Sequence, residues 1–499
     1  MIKKLISVVT ALALCFSLAA CGAKKSEGPA PVSVQSETTS FHEIDTSSFK
    51  LSYSKSDSLN PFSSKTLNNQ VLQTLVFEGL FILDEQWEAE NVLAESYEYT
   101  DSETLTVKLK QGVTFSNGKP LKAENVVYSF NQAKDSPHWS AALSCFSSAS
   151  EEGDYEVKFR LSRPNPEAHK LLTFAVVKKD SDKKGYPIGS GRYKFGEGDG
   201  LVYLEKNEKY REEFSPHFSK LILVNITAEE SIENAVNIGN ISFAFRDMSS
   251  GSKNKIQVNK KPVSLNNLVY IGINNESGIT KNEYIRQAIA LAADRETLVK
   301  SAYRGYAKSA LSVFNPASAL GRQSQIFASK AKLDEAKRAI AQSGLDESEL
   351  KLDILTSNDE GKANAAQLLK QQLEAAGFKV TINKEKSSEY KSKIKSKSFN
   401  IYIGETKLTG DMSLNSFFTN GGSTSYGINN GESKCAASYS GYLNGENEIG
   451  SFILDFSQEL PFIPLLYRQG MICYSNGLRG DMQGYADNCF SNIEDWYFN

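Results

Sequence analysis

The sequence predicts an α/β fold divided into more than one lobe. Between residues 350 and 382 an apolar segment (LKLDILTS), a helix-patterned segment and a second apolar segment (FKVTI) follow one another. That order gives parallel strands joined by a right-handed helical crossover. Upstream, TLTVKLK (104–110) and YEVKFRL (155–161) alternate apolar and polar residues, the period of half-buried strands. At 499 residues the chain is several times longer than one small core requires, so two or three lobes are expected.

The first residues are not part of that body. Lys3 and Lys4 give a positive end and Leu5 to Phe16 an apolar run, a secretory leader too short to serve as a membrane span. The run closes on Leu18-Ala19-Ala20-Cys21, which resembles the lipobox of bacterial lipoproteins. The resemblance implies a signal peptide over 1–20 and a lipid on Cys21, which would hold the protein on the extracytoplasmic face of the cell membrane. Residues 22–47 are rich in Ser, Thr, Pro and Gly and poor in large apolar residues, as a solvated tether is. With Cys21 they form a 21–47 linker, and folding is expected from about Phe49. No other segment is long and apolar enough to span a membrane.

Within the body, Leu105, Val107 and Leu109 share one strand face, and Asn117-Gly118 marks a turn. LKAENVVYSFNQA then places Val126, Val127 and Phe130 on one helical face. Tyr155, Val157, Phe159 and Leu161 complete a small mixed lobe. LNNLVYIGINNESG (265–278) is an apolar strand entering a polar loop, and Ile285, Ala288, Ile289 and Ala292 follow at helical spacing. Asp294 sits where it caps a second helix starting at Arg295, which accounts for it more simply than a ligand contact. A helix over 333–342 precedes the crossover unit, whose own helix carries Ala366, Leu369 and Leu373 inward and ends at Gly377, a residue suited to a left-handed cap.

Composition narrows the function. Hydrophobic (40%) and charged (23%) fractions are those of an ordinary globular protein, and loss of Lys3 and Lys4 takes the formal charge from −3 to −5, which gives no reason for nucleic acid as a partner. His42, His138, His169 and His217 are scattered, so no metal or other cofactor is expected. There is no C-x-x-C, H-E-x-x-H or G-x-S-x-G, and the G-S-G of PIGSGRYKF reads as a turn, so the chain is not expected to be an enzyme. Cys145, Cys435, Cys473 and Cys489 are either buried free thiols or, for the closest couple, Cys473 and Cys489, a disulfide compatible with export.

SLNPF (58–62), VFEGLF (76–81), VTFSNGKPLKAENVVYSF (113–130), PIGSGRYKF (187–195), YIRQAIALAADRETLV (284–299), LDEAKRAIAQSG (333–344) and ELPFIPLLY (459–467) together resemble the family 5 solute-binding proteins of peptide and nickel ABC importers. The resemblance runs from about Phe49 to the C-terminus. It implies a type II periplasmic-binding-protein-like α/β fold, two lobes with an extra inserted domain and a ligand cleft between the lobes. Mapped here, the first domain takes 48–80, 186–265 and 475–499, the inserted domain 81–185 and the third domain 266–474. The implied activity is capture of a small solute, most simply an oligopeptide, and its delivery to an ABC permease and its ATPase by a monomeric receptor. A nickel complex, a glycoside, an amino-acid derivative or a sensing role without transport are the alternatives.

Glu78-Gly79, Asn117-Gly118 and Arg286 lie in architectural blocks. Binding residues are sought instead where strands enter polar loops, because ligands of such sheets collect at strand carboxyl ends. FNIYIGETKLTGDMSLNSFFTNGG (399–422) offers Glu405, Lys407 and Asp411, and the 265–278 strand offers Asn274 and Asn275. Tyr53 closes the first strand of the body. Asp411 is the aspartate placed to match the carboxylate that holds a peptide ammonium group in peptide-binding relatives, but the accompanying Trp and Asp-Tyr-Pro-Asp-like run is missing, which puts free-peptide specificity in doubt. Phe417-Phe418 is read as packing rather than cleft wall.

Overall fold

The structure, a computed structural model, describes residues 48–183, 185–248 and 254–499. The leader, the tether, Cys21 and His42 lie outside the described residues.

Among the described residues eleven strands form one mixed sheet. One half orders Lys379–Glu385, Lys351–Ser357 and Ile401–Lys407, and the other half Phe243–Asp247, Phe49–Tyr53, Lys220–Asn225, Leu201–Lys206 and Tyr193–Gly198. Two long antiparallel strands, Asn259–Ile273 and Phe462–Tyr474, lie between the halves and pair with each other, the first also with Ile401–Lys407 and the second with Phe243–Asp247. The short strand Ala307–Ser309 also pairs with Phe462–Tyr474. The expected crossover is present: Lys351–Ser357 and Lys379–Glu385 are parallel and in register, joined by helix Glu360–Ala376. Asp359 caps that helix by accepting from Lys362 N at 3.0 Å, and Gly377, at φ 118°, ends it. Asp294 likewise caps its helix, accepting from Thr297 N at 2.8 Å.

Each half has its own core. Helix Glu283–Ala292 and helix Glu360–Ala376 press Ile285, Ile289, Leu369 and Leu373 onto Ile271, Ile354 and Ile403. On the other side a four-stranded sheet of Ala94–Asp101, Thr104–Leu109, Glu156–Leu161 and Phe146–Glu151 is covered by helix Ala123–Lys134. Phe130 of that helix meets Phe159 at 5.4 Å and Phe146 at 6.0 Å, edge to face. Truncating such a side chain to alanine costs about 3–5 kcal/mol. This small lobe shares a core with Phe49, Leu51 and Leu223 of the large sheet.

The long strand is interrupted where it passes between the halves. Its pairing with Phe462–Tyr474 shifts register between Ser264 and Leu268, a bulge that frees Asn266 from the ladder. Asn266, fully buried, accepts from Leu408 N and donates to Thr409 O, both at 2.8 Å. The bulge thereby fixes the loop that follows Ile401–Lys407.

The architectural blocks behave as expected. Arg286 donates to the carbonyls of Glu459, Thr280 and Lys281, and Gly118 turns at φ +76°. Phe417 stacks on Phe462 at 4.0 Å inside the core. Of the two alternatives for the thiols, the structure has the free form: Cys473 and Cys489 are both buried and unbridged. Cys473 packs with Ile232 and Met471, Cys489 with Phe490 and Trp496, so the two belong to different cores.

Candidate functional site

A cavity of about 840 Å³ opens where four separate stretches of chain meet. The first is a hairpin, Phe81–Leu83 paired with Ala89–Asn91. Asp84 organises its turn by accepting from the backbone N–H groups of Gln86 and Glu88, each at 2.8 Å, and Trp87 takes a left-handed φ of 64°. The hairpin joins both cores: Phe81 belongs to one, Leu83 and Trp87 to the other. The second wall is Lys261–Ser264, just before the bulge, the third Ala317 and Arg322, and the fourth the C-terminal stretch from Asp481 to Ser491. The volume falls within the range of sites that enclose small solutes.

The walls are charged. Burial, then the charges of Glu90, Asp84 and Asp487, push the Tyr485 phenol up to about 12. Burial raises the Asp487 carboxyl against the opposing influence of Lys407. Burial and Lys407 push His138 down to about 4. His138 and Lys407 are nonetheless exposed to water. The charge of Lys407 thus reaches both Asp487 and His138, although of the three only Asp487 lines the cavity.

Of the residues singled out from sequence, none lines the cavity, and Lys407 is the one whose charge reaches a wall residue, Asp487. Glu405 lies nearby but is engaged, with Lys362 Nζ at 3.5 Å, Arg468 Nη1 at 3.8 Å and Asn267 Nδ2 donating at 3.3 Å. Arg468 is 1% exposed and lies over the Tyr303 ring at 4.6 Å. Asp411 is buried and takes its hydrogen bonds from Asn165, Thr409 and Ser413. Asn274 donates to Ser277 Oγ and to the carbonyls of Lys397 and Phe399, and Asn275 to the carbonyl of Pro461. Tyr53 is buried at its strand end in the core of the other half, with Phe49 and Leu51. Strands Asn259–Ile273 and Ile401–Lys407 are antiparallel, Asn267 opposite Lys407 and Ile273 opposite Ile401. Their carboxyl ends therefore lie at opposite ends of the ladder, about 20 Å apart, and Asn274 and Asn275 do not meet Glu405 and Lys407.

Among the described residues no group of three or more His, Cys, Asp or Glu side chains is arranged to hold a metal ion, and no helix is long and apolar enough to cross a membrane. Residues 88–430 match the profile of the bacterial extracellular solute-binding proteins, family 5 (middle). The chain belongs to this family. Its members are binding proteins of transport systems, not enzymes.

The glutathione-binding protein GsiB of Escherichia coli (strain K12) is 28% identical over 279 residues, 52% of this chain and 54% of GsiB. The chain thus matches about half the length of this curated relative. AppA of Clostridium difficile has the same fold, with a TM-score of 0.70 at 21% identity over 91% of this chain and 100% of AppA. The periplasmic murein tripeptide binding protein MppA, in its unliganded open form, gives 0.74 at 18% identity, over 90% of this chain and 97% of MppA.

In this family 5 chain, His138, Arg322 and Lys407 fall inside the matched region and the wall from Asp481 to Ser491 outside it. Sequence reasoning passed over Trp87, Tyr485 and Asp487. The local signal for the first was the acidic turn DEQWEAE (84–90). Nothing local ties GYADN (484–488) to that turn, because only the fold brings them together.

Proposed function

We propose that this chain is the substrate-binding protein of an ABC importer, that it captures an oligopeptide in the cleft, and that it hands the peptide to a membrane permease and its ATPase. The observation that carries the reading is the cavity of about 840 Å³ walled by four stretches from separate parts of a family 5 chain. The three-domain division drawn from sequence belongs to this reading, with the inserted domain at 81–185 and the third domain at 266–474. The two long strands are the hinge, since their pairing with each other joins the two halves of the sheet. A ligand that touches both sides stabilises the closed arrangement by its extra contacts there, and the permease reads that state.

Lys407 is the sequence-derived residue best placed to meet the ligand; Glu405, Asp411, Asn274, Asn275 and Tyr53 act through the packing of the lobes. The protein acts as a monomer. A lipid on Cys21 and the 21–47 tether keep it at the membrane and raise its effective concentration at the permease.

Native mass spectrometry of the gently purified protein, alone and with a mixed peptide pool, tests the reading. Retention or capture of one peptide per chain is expected. Failure to hold any peptide from a diverse pool would overturn the oligopeptide assignment.

A further inference from the structure

The walls of the cavity are unequal in charge, and this bears on which solutes it takes. Five carboxylates, including Asp84, Glu90 and Asp487, line it against two cations, Lys261 and Arg322. Lys261 is already occupied, donating to the Met482 carbonyl at 3.2 Å with Asp481 at 4.0 Å. Glu90 and Asp487 have neither a hydrogen bond nor an ion pair from their carboxylates among the described residues. Lys407 acts on Asp487 from beyond ion-pair distance. Glu90 is exposed, but Asp487 is partly buried, where leaving a carboxylate without a partner is costly, and a cation brought by a ligand offsets that cost. Tyr485 stands in the field of Glu90, Asp84 and Asp487 together. A positive group placed beside its ring meets three carboxylates and an aromatic surface.

We infer that the cleft selects ligands carrying a cationic group, such as a lysine- or arginine-bearing peptide, and holds that group between Asp487, Glu90 and Asp84 beside Tyr485. The inference rests on the binding-protein reading above and specifies its substrate class. It sets this chain apart from a binder of glutathione, a peptide of net negative charge, although GsiB is among the relatives it resembles.

The test is a charge series on the purified full-length protein. Peptide pools of equal length carrying one fixed Lys, Ala or Glu are titrated, with spermidine, citrate and glutathione as probes in parallel. The expected result is Lys-bearing peptides binding about tenfold tighter than Glu-bearing ones at low salt, with the ratio shrinking at about 0.5 M salt. Asp487→Asn and Glu90→Gln each move the ratio toward one. Glu90 is exposed and makes no bond that folding would lose, so its variant remains informative if Asp487→Asn fails to fold. Equal affinity across the series, or tighter binding of Glu-bearing peptides or glutathione, overturns the inference and leaves the peptide reading standing. Spermidine binding without any peptide overturns the peptide reading and supports the cation preference. Binding in neither arm overturns both.

Discussion

Asn165 and Asp411, 246 positions apart in the chain, meet side chain to side chain, with Asn165 Nδ2 donating to Asp411 Oδ2 at 2.8 Å and both residues buried. The Thr409 hydroxyl and the Ser413 N–H donate to the other oxygen. The carboxylate is thus filled by the protein's own donors, and it ties the loop after Ile401–Lys407 to the segment before Ala168–Leu171.

Asp411→Ala should therefore act on stability first. It strands the buried Asn165 amide, at about 1–3 kcal/mol for an unsatisfied donor. A lower thermal midpoint is expected, with no change in the preference for free over blocked peptide amino termini. An unchanged midpoint with selective loss of free-amino peptides would instead make Asp411 a ligand contact.

The same loop leaves no room at Gly410. A Cβ there would lie 2.5 Å from Leu83 Cδ1 and 3.1 Å from the Lys170 carbonyl. Gly410→Ala should cost about 1–3 kcal/mol through overpacking and weaken ligand binding by displacing the hairpin that carries Asp84. Adding Leu83→Ala should recover part of the loss, with a coupling of about 0.5 kcal/mol or more in a double-mutant cycle. Strict additivity would place the clash elsewhere.

His169 is stacked on Tyr97 at 4.3 Å and hydrogen-bonded to the hydroxyls of Tyr97 and Tyr99. Burial and then Lys170 push its pKa from 6.5 down to about 4. Between those values the unfolded chain binds the proton and the folded chain does not, so stability falls as pH drops from 6.5 toward 4 and this contribution levels off below. Its ceiling is on the order of 3 kcal/mol. Urea titrations across that window should show a shallower slope for His169→Gln than for the parent. Equal slopes would assign the pH dependence to other groups.

The thiols give a chemical check on the two-core packing. Burial pushes Cys145 and Cys473 up to about 12 and raises Cys435 and Cys489 as well. A disulfide-exchange reagent at mildly alkaline pH should leave all four unmodified in the folded protein and modify all four in denaturant. The thermal midpoint should be insensitive to reductant. A midpoint that falls on reduction would show a bridge.

The small lobe and the crossover unit were legible because each element buries one face. Leu105, Val107 and Leu109 alternate inward, and Leu369 and Leu373 repeat at helical spacing. Asp294 and Gly377 act within a few residues of their own positions, so their caps could be read locally. The site was less legible. Strand ends share one side of a sheet when strands run parallel, but Asn259–Ile273 and Ile401–Lys407 run antiparallel, which separates Asn274 from Lys407. No local pattern reveals that pairing. Tyr485 and Asp487 sit in a turn whose sequence says only that the chain bends, and their meeting with Glu90 exists only in the folded chain.

Hydrogen–deuterium exchange with and without a peptide captured from the pool is the decisive test of ligand capture in this cleft, because it reads place as well as occupancy. Exchange should slow together at the 84–90 hairpin, at 261–264 and at 481–491. Protection confined to one of these walls, or found only elsewhere on the protein, would contradict it.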